Sequence, residues 1–79
     1  MRVKLFAALR DHAGGDHLDV EIPEGATVAD LQAALRTALP EAAPLLGASR
    51  IAINLAFAIP ATVVHASDDV AVIPPVSGG

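Results

Sequence analysis

A small α+β domain, built on a mixed sheet of four to five strands crossed by one main helix, is predicted by three features of the chain. Period-two alternation of apolar residues occurs near both ends and again past the middle. A single run, Val28, Leu31, Leu35 and Leu39, carries helical spacing. Clusters of Gly, Pro and Asp punctuate the chain between these segments. With 79 residues there is room for one core and no second domain.

The first element expected is a strand over residues 2–8, with Val3, Leu5 and Ala7 on one side and Lys4, Phe6 and Ala8 on the other. The polar stretch Arg10-Asp11-His12-Ala13-Gly14-Gly15-Asp16 is read as a turn. Leu18, Val20 and Ile22 then alternate with His17, Asp19 and Glu21, a strand with one buried face that ends at Pro23-Glu24-Gly25. Thr27 stands where an N-cap is needed, with Asp30 three residues later as in a capping box, so the main helix is predicted from Val28 to Leu39 and is closed by Pro40. Residues 41–46 fit a short further turn of helix. Ile51, Ile53, Leu55 and Phe57 alternate with smaller residues, which predicts a third strand or a strand running into a hairpin. Pro60 interrupts it, residues 61–64 offer a weak short strand, and Ser67-Asp68-Asp69 forms a turn. Val70 to Ile73 is apolar on both faces and is therefore expected at the centre of the sheet. A hairpin, a crossing helix and returning strands in this order make the ubiquitin-like β-grasp arrangement, in which the last strand lies beside the first.

Composition narrows the function. There is no Cys, hence no disulfide, no thiolate metal site and no thiol to carry sulfur or a thioester. The net charge is −4, and Arg2, Lys4, Arg10, Arg36 and Arg50 are scattered along the sequence, which argues against a nucleic-acid partner. No run reaches membrane-spanning length and the N-terminus does not read as a signal peptide, so the cytoplasm is expected and no membrane partner. Apolar residues make up 53% of a chain too short to bury them all, which calls for a protein partner unless the many Ala residues merely inflate the figure.

The ending Pro74-Pro75-Val76-Ser77-Gly78-Gly79 points to chemistry at the chain terminus. Two Pro residues cannot extend a sheet ladder and favour an outward path, and glycines without Cβ pass through a narrow channel. At about 3.3 Å per residue, the segment beyond Pro75 spans on the order of 15 Å. The division expected is a domain over residues 1–73 and a tail over residues 74–79. Gly-Gly alone fits a frayed end or a cloning scar equally well; the Pro-Pro-Val lead-in favours a working tail.

Leu5-Phe6-Ala7 with Leu9-Arg10-Asp11 and Gly14, Pro23-Glu24-Gly25-Ala26-Thr27-Val28 with Asp30-Leu31, Ile53-Asn54, Asp68-Asp69-Val70-Ala71 and the Pro-Pro-Val-Ser-Gly-Gly ending together resemble the MoaD/ThiS-type sulfur carriers, most nearly the small subunit of molybdopterin synthase. The departures are Ala66-Ser67 where the family has Asp-Gly, Ile73 where it often has an aromatic residue, and a poor match over residues 55–65. The resemblance implies that an adenylating and sulfurating enzyme uses ATP to activate the Gly79 carboxylate. Sulfur then replaces AMP, and the Gly79 thiocarboxylate serves the large subunit of molybdopterin synthase in a heterotetramer that builds the molybdenum cofactor. Gly78 would give steric access, and Pro74, Pro75, Val76 and Ser77 reach. Phe6, Ile73 and Phe57 are the expected partner-binding residues by position in the family. Core packing is the alternative for both Phe residues, favoured for Phe57, whereas Phe6 shares its face with Lys4 and Ala8 and is favoured as exposed.

No bound cofactor or metal is expected: His12, His17 and His65 lack a second ligand at suitable spacing, and Asp68-Asp69 more often caps a turn. Gly14-Gly15 lacks the Lys of a phosphate-binding loop, and the chain is not expected to catalyse a reaction alone. A carrier for thiamine thiazole or cysteine synthesis, or a ubiquitin-like modifier joined through Gly79, is the alternative.

Overall fold

The computed structural model describes residues 1–75. Five strands, β1 (Arg2–Leu5), β2 (His17–Asp19), β3 (Arg50–Ile53), β4 (Ala56–Phe57) and β5 (Val70–Ile73), form one sheet in the order β2-β1-β5-β3-β4. Three helices, α1 (Ala8–Ala13), α2 (Val28–Ala38) and α3 (Ala43–Ala48), complete the fold, with a 3₁₀ turn at Pro40–Ala42 leading into α3. This is the β-grasp predicted from the order of elements. The apolar run 70–73 takes the central place, parallel to β1 (Lys4 beside Ala71) and antiparallel to β3 (Ala52 beside Ala71).

Alternation sorts each strand into two faces. Val3, Leu5, Ile51, Val70 and Val72 point inward and join Val28, Leu31 and Leu35 of α2 in one aliphatic core, completed by Leu9, Val20, Leu46 and Val64. No polar or charged side chain is buried among the described residues, so nothing in the core requires a polar partner.

The capping box read from the sequence is formed. The Thr27 backbone N–H donates to the Asp30 carboxylate at 2.9 Å, while Thr27 Oγ1 accepts from the Asp30 N–H at 3.4 Å. Two further N–H groups at this helix end are met by the loop that follows β4: Val28 donates to the Thr62 carbonyl at 2.8 Å and Ala29 to that of Pro60 at 3.0 Å. That duty corrects the short strand expected over residues 61–64. The segment has only an isolated bridge, Thr27 to Val63, because its carbonyls serve the helix instead of a neighbouring strand.

The first strand is also shorter than expected. It stops at Leu5, and Ala7 adopts φ 51 and ψ −130, a conformation rare for a residue with Cβ, which turns the chain into α1. Arg10 to Ala13, the first part of the polar stretch read as a turn, thus belong to a six-residue helix, with Leu9 buried beneath it and Gly14 ending it in the left-handed region at φ 74. Helix α2 ends one residue before the predicted Leu39, which serves as its C-cap, and the helical turn expected at 41–46 is realised by the 3₁₀ turn and α3. Of the alternatives open at 51–57, the hairpin is the one formed: β3 and β4 are joined by Asn54 and Leu55, with φ 51 and 70. Positive φ at both central positions marks a type I′ turn, whose twist matches that of the strands it connects. Among the described residues no helix is long and apolar enough to cross a membrane.

Candidate functional site

The outer face of the sheet, opposite α2, is assembled by strand register. Lys4 of β1 stands beside Ala71 of β5, Ala71 beside Ala52 of β3, and Ala52 beside Phe57 of β4. The small side chains Ala71 and Ala52 leave a hollow of about 230 Å³ between taller walls, formed by Lys4, Phe6, Leu55, Phe57, Asp69 and Ile73. All three residues expected to bind a partner, Phe6, Phe57 and Ile73, therefore line one concavity. Phe6 is 46% exposed and Phe57 55% exposed, so the core position favoured for Phe57 is corrected. The turn at Asn54-Leu55 is the reason: in one unbroken strand Phe57 would follow Ile51 and Ile53 inward, but the reversal carries it to the outer face opposite Ala52. There the Arg50 guanidinium lies 3.9 Å from the Phe57 ring centroid, a cation–π contact that holds the ring in place.

Where β5 ends, the chain passes from half-buried Ile73 to buried Pro74 and exposed Pro75. Pro74 is wedged into the body, so the emerging chain is aimed from a fixed point. Phe6, Ala7, Ala8, Leu45, Ile73, Pro74 and Pro75 surround a shallow, largely apolar depression of about 810 Å³ at this exit. Phe6 and Ile73 line both concavities, which makes the outer face continuous with the root of the tail. The expected reactive residue Gly79, with Val76, Ser77 and Gly78, lies outside the described residues.

Charges ring this surface. Lys4 Nζ approaches Asp69 at 3.9 Å, and Arg2, Lys4 and Arg10 line one groove with Asp16 and His17. A hydrogen bond from His17 at 2.9 Å is the main reason that the Asp16 carboxyl titrates below its usual range. Asp68 is held low first by the His65 backbone N–H at 2.7 Å and then by the Asn54 amide at 3.1 Å. The second aspartate is tied in as well, its N–H donating to Asn54 Oδ1 at 2.9 Å. Asp68-Asp69 therefore caps and anchors a turn, and among the described residues no group of His, Asp or Glu is placed to hold a metal ion. The turn is made without a left-handed residue at Ala66 or Ser67.

Leu55, which alternation groups with Ile51, Ile53 and Phe57, stands at the hairpin tip and is 96% exposed. The available signal was Asn54, which favours the first position of a type I′ turn.

The family model described as the ThiS family matches residues 3–79, nearly the whole chain. The chain belongs to the ThiS family. This ThiS-family protein is also similar to solved structures of the same size. SAMP1 from Haloferax volcanii, a small archaeal modifier protein, is 32% identical, with 100% of this chain and 98% of that one covered at a TM-score of 0.85. A putative molybdopterin converting factor subunit 1 from Pyrococcus furiosus is 30% identical over 95% of both chains, with a TM-score of 0.83. A chain of the BexX/CysO complex from Amycolatopsis orientalis shares the fold at 21% identity, with 99% of this chain and 98% of that one covered and a TM-score of 0.73. The ThiS-family protein is accordingly a ubiquitin-like member of the MoaD/ThiS sulfur-carrier class, whose small carriers are not themselves catalysts.

Proposed function

We propose that this carrier is the sulfur-donating small subunit of a molybdopterin synthase. The observation that supports it best is the continuity of the outer face with the root of the tail: a partner seated on Phe6, Phe57 and Ile73 receives the chain that leaves at Pro75. The likeness to a molybdopterin converting factor subunit and the Pro74-Pro75-Val76-Ser77-Gly78-Gly79 ending favour this pathway over thiamine or cysteine synthesis.

In this reading the Gly79 carboxylate, anionic at neutral pH and a poor electrophile, attacks the α-phosphate of ATP in an adenylating partner and releases pyrophosphate. A sulfide-level nucleophile then adds to the acyl carbon and expels AMP, leaving a thiocarboxylate. This end enters the large subunit, where its sulfur bonds to a carbon of the pterin precursor in place of an oxygen substituent, and water then hydrolyses the acyl–sulfur bond, leaving sulfur on the pterin and regenerating the carboxylate. The carrier supplies no acid, base or metal; its contribution is to hold the reacting end at a fixed distance from a docked body. Residues 1–73 act as the docking domain and residues 74–79 as the delivery segment, with Pro74 as their hinge point. ATP is bound by the partner and not by this chain.

A second reading, a ubiquitin-like modifier, is favoured by the 32% identity to SAMP1. Intact mass after incubation with an adenylating enzyme, ATP and a sulfur source tests the common step: one oxygen is replaced by sulfur in the full chain and not in a variant lacking Gly79. Addition of the large subunit and pterin precursor then separates the readings. Dithiolene formation supports the synthase subunit. Its absence from a loaded carrier, with Gly79 instead joined to target lysines, sinks that assignment in favour of the modifier.

A further inference from the structure

Leu55 carries two costs that folding does not repay. The second central position of a type I′ turn is where Gly belongs, yet a Leu with Cβ occupies it at φ 70. The side chain is 96% exposed, so it gains almost nothing from packing. Strain retained at an exposed apolar residue points to a use outside the fold.

The mount beneath it is rigid. Asn54 donates its N–H to the Asp69 carbonyl at 2.8 Å and its side-chain amide to Asp68 at 3.1 Å, and accepts from the Asp69 N–H at 2.9 Å. The hairpin tip is thereby clamped to the turn preceding β5, and Leu55 rises from the clamp as one wall of the hollow shared with Phe6, Phe57 and Ile73. An apolar side chain carried on a clamped backbone has less freedom to lose on association than one on a loose loop, which suits a contact anchor.

Resting on the reading that the outer face docks a partner, we propose that Leu55 is a specificity-determining anchor. It inserts into an apolar recess of that partner, the large subunit, whose recess is rimmed by a carboxylate facing Arg50. Lys4 lines the same hollow but approaches Asp69 of its wall at 3.9 Å, so Arg50, stacked on Phe57 at the margin, is the cation that meets the acidic rim. Exchange of Leu55 alters which partner is accepted while leaving the carrier fold intact.

The test is Leu55→Gly, which creates the favoured Asn-Gly turn. The full-length variant is titrated calorimetrically against the purified large subunit of molybdopterin synthase from the same genome. The melting temperature is expected to stay level or rise while affinity falls about tenfold, with Leu55→Met restoring affinity to within about threefold. Unchanged affinity, or a lowered melting temperature, overturns the proposal. Phe6→Ala and Ile73→Ala serve as the reference. If they weaken binding and Leu55→Gly does not, the anchor is refuted but the docking face stands; if neither weakens it, the docking reading itself fails. Sedimentation of the carrier alone covers the remaining occupant: self-association that Leu55→Gly abolishes would assign the anchor to a second copy and overturn the stated partner.

Discussion

The two faces of the sheet are made of different side chains for different ends. The inner face is entirely aliphatic, with Val3, Leu5, Ile51, Val70 and Val72 closed under α2, and it holds neither of the two Phe residues. The outer face has both, beside small alanines and a ring of charge. In a domain this small, aromatic side chains would be the largest contributors to a core. Their placement outside teaches that folding here rests on many well-fitted aliphatic contacts, which leaves the large side chains free for association.

Truncating each face in turn breaks or sharpens this contrast. The largest effect is expected from Leu31→Ala, at a fully buried position of α2, which should cost about 2–5 kcal/mol in urea unfolding. A small domain has little to spare, so much of that variant should be unfolded at physiological temperature. Phe57→Ala removes a larger side chain but should shift stability by no more than about 0.5 kcal/mol, while weakening partner binding about tenfold or more. A destabilisation matching that of Leu31→Ala would show that Phe57 is structural and erase the distinction between the faces.

The next effect in size lies at the edge of the inner layer. Thr27→Ala removes the side-chain half of the capping box and should cost about 1 kcal/mol by chemical denaturation. The loss is limited because the carbonyls of Thr62 and Pro60 still meet two other N–H groups of that helix end. The smallest effect is expected from the exposed Asp68. Its folded-state pKa is lowered from 3.8 by the His65 N–H, so its contribution is present above that ordinary value and is lost as pH falls through the lower folded value. Acid unfolding followed by circular dichroism should show Asp68→Asn lacking this part of the pH dependence; an identical acid profile would mean that the turn is held without the charge.

Much of the fold was legible because its signals are local and regular. Thr27 and Asp30 announced the helix start, and the apolar run from Val70 to Ile73 announced the central strand. The rest is either too short to show a period or depends on contacts between distant segments. The six residues of α1 are too few to show a period, so Arg10, Asp11 and His12 read as a turn, although Gly14 marks a helix stop. The carbonyls of Pro60 and Thr62 are spent on α2, a use that propensity does not reveal. Phe57 was misplaced because its facing depends on one turn, and an alternation carried through Asn54-Leu55 assigns it to the wrong side. At the candidate site, resemblance pointed to Phe6, Ile73 and Phe57, which the fold brings to one concavity, and to the terminal glycines, which lie outside the described residues. The rigid mount of Leu55 depends on Asn54 meeting Asp68 and Asp69, residues 14 and 15 positions away.

The central position of β5 has a mechanical consequence. A pull on the chain beyond Pro75 acts along a strand gripped on both sides, by β1 in parallel and by β3 in antiparallel register. Such a load must shear two ladders at once instead of peeling one open like a zip. On the proposed function, an enzyme drawing the end into its own interior would haul on a strand braced from both sides, and the body would hold.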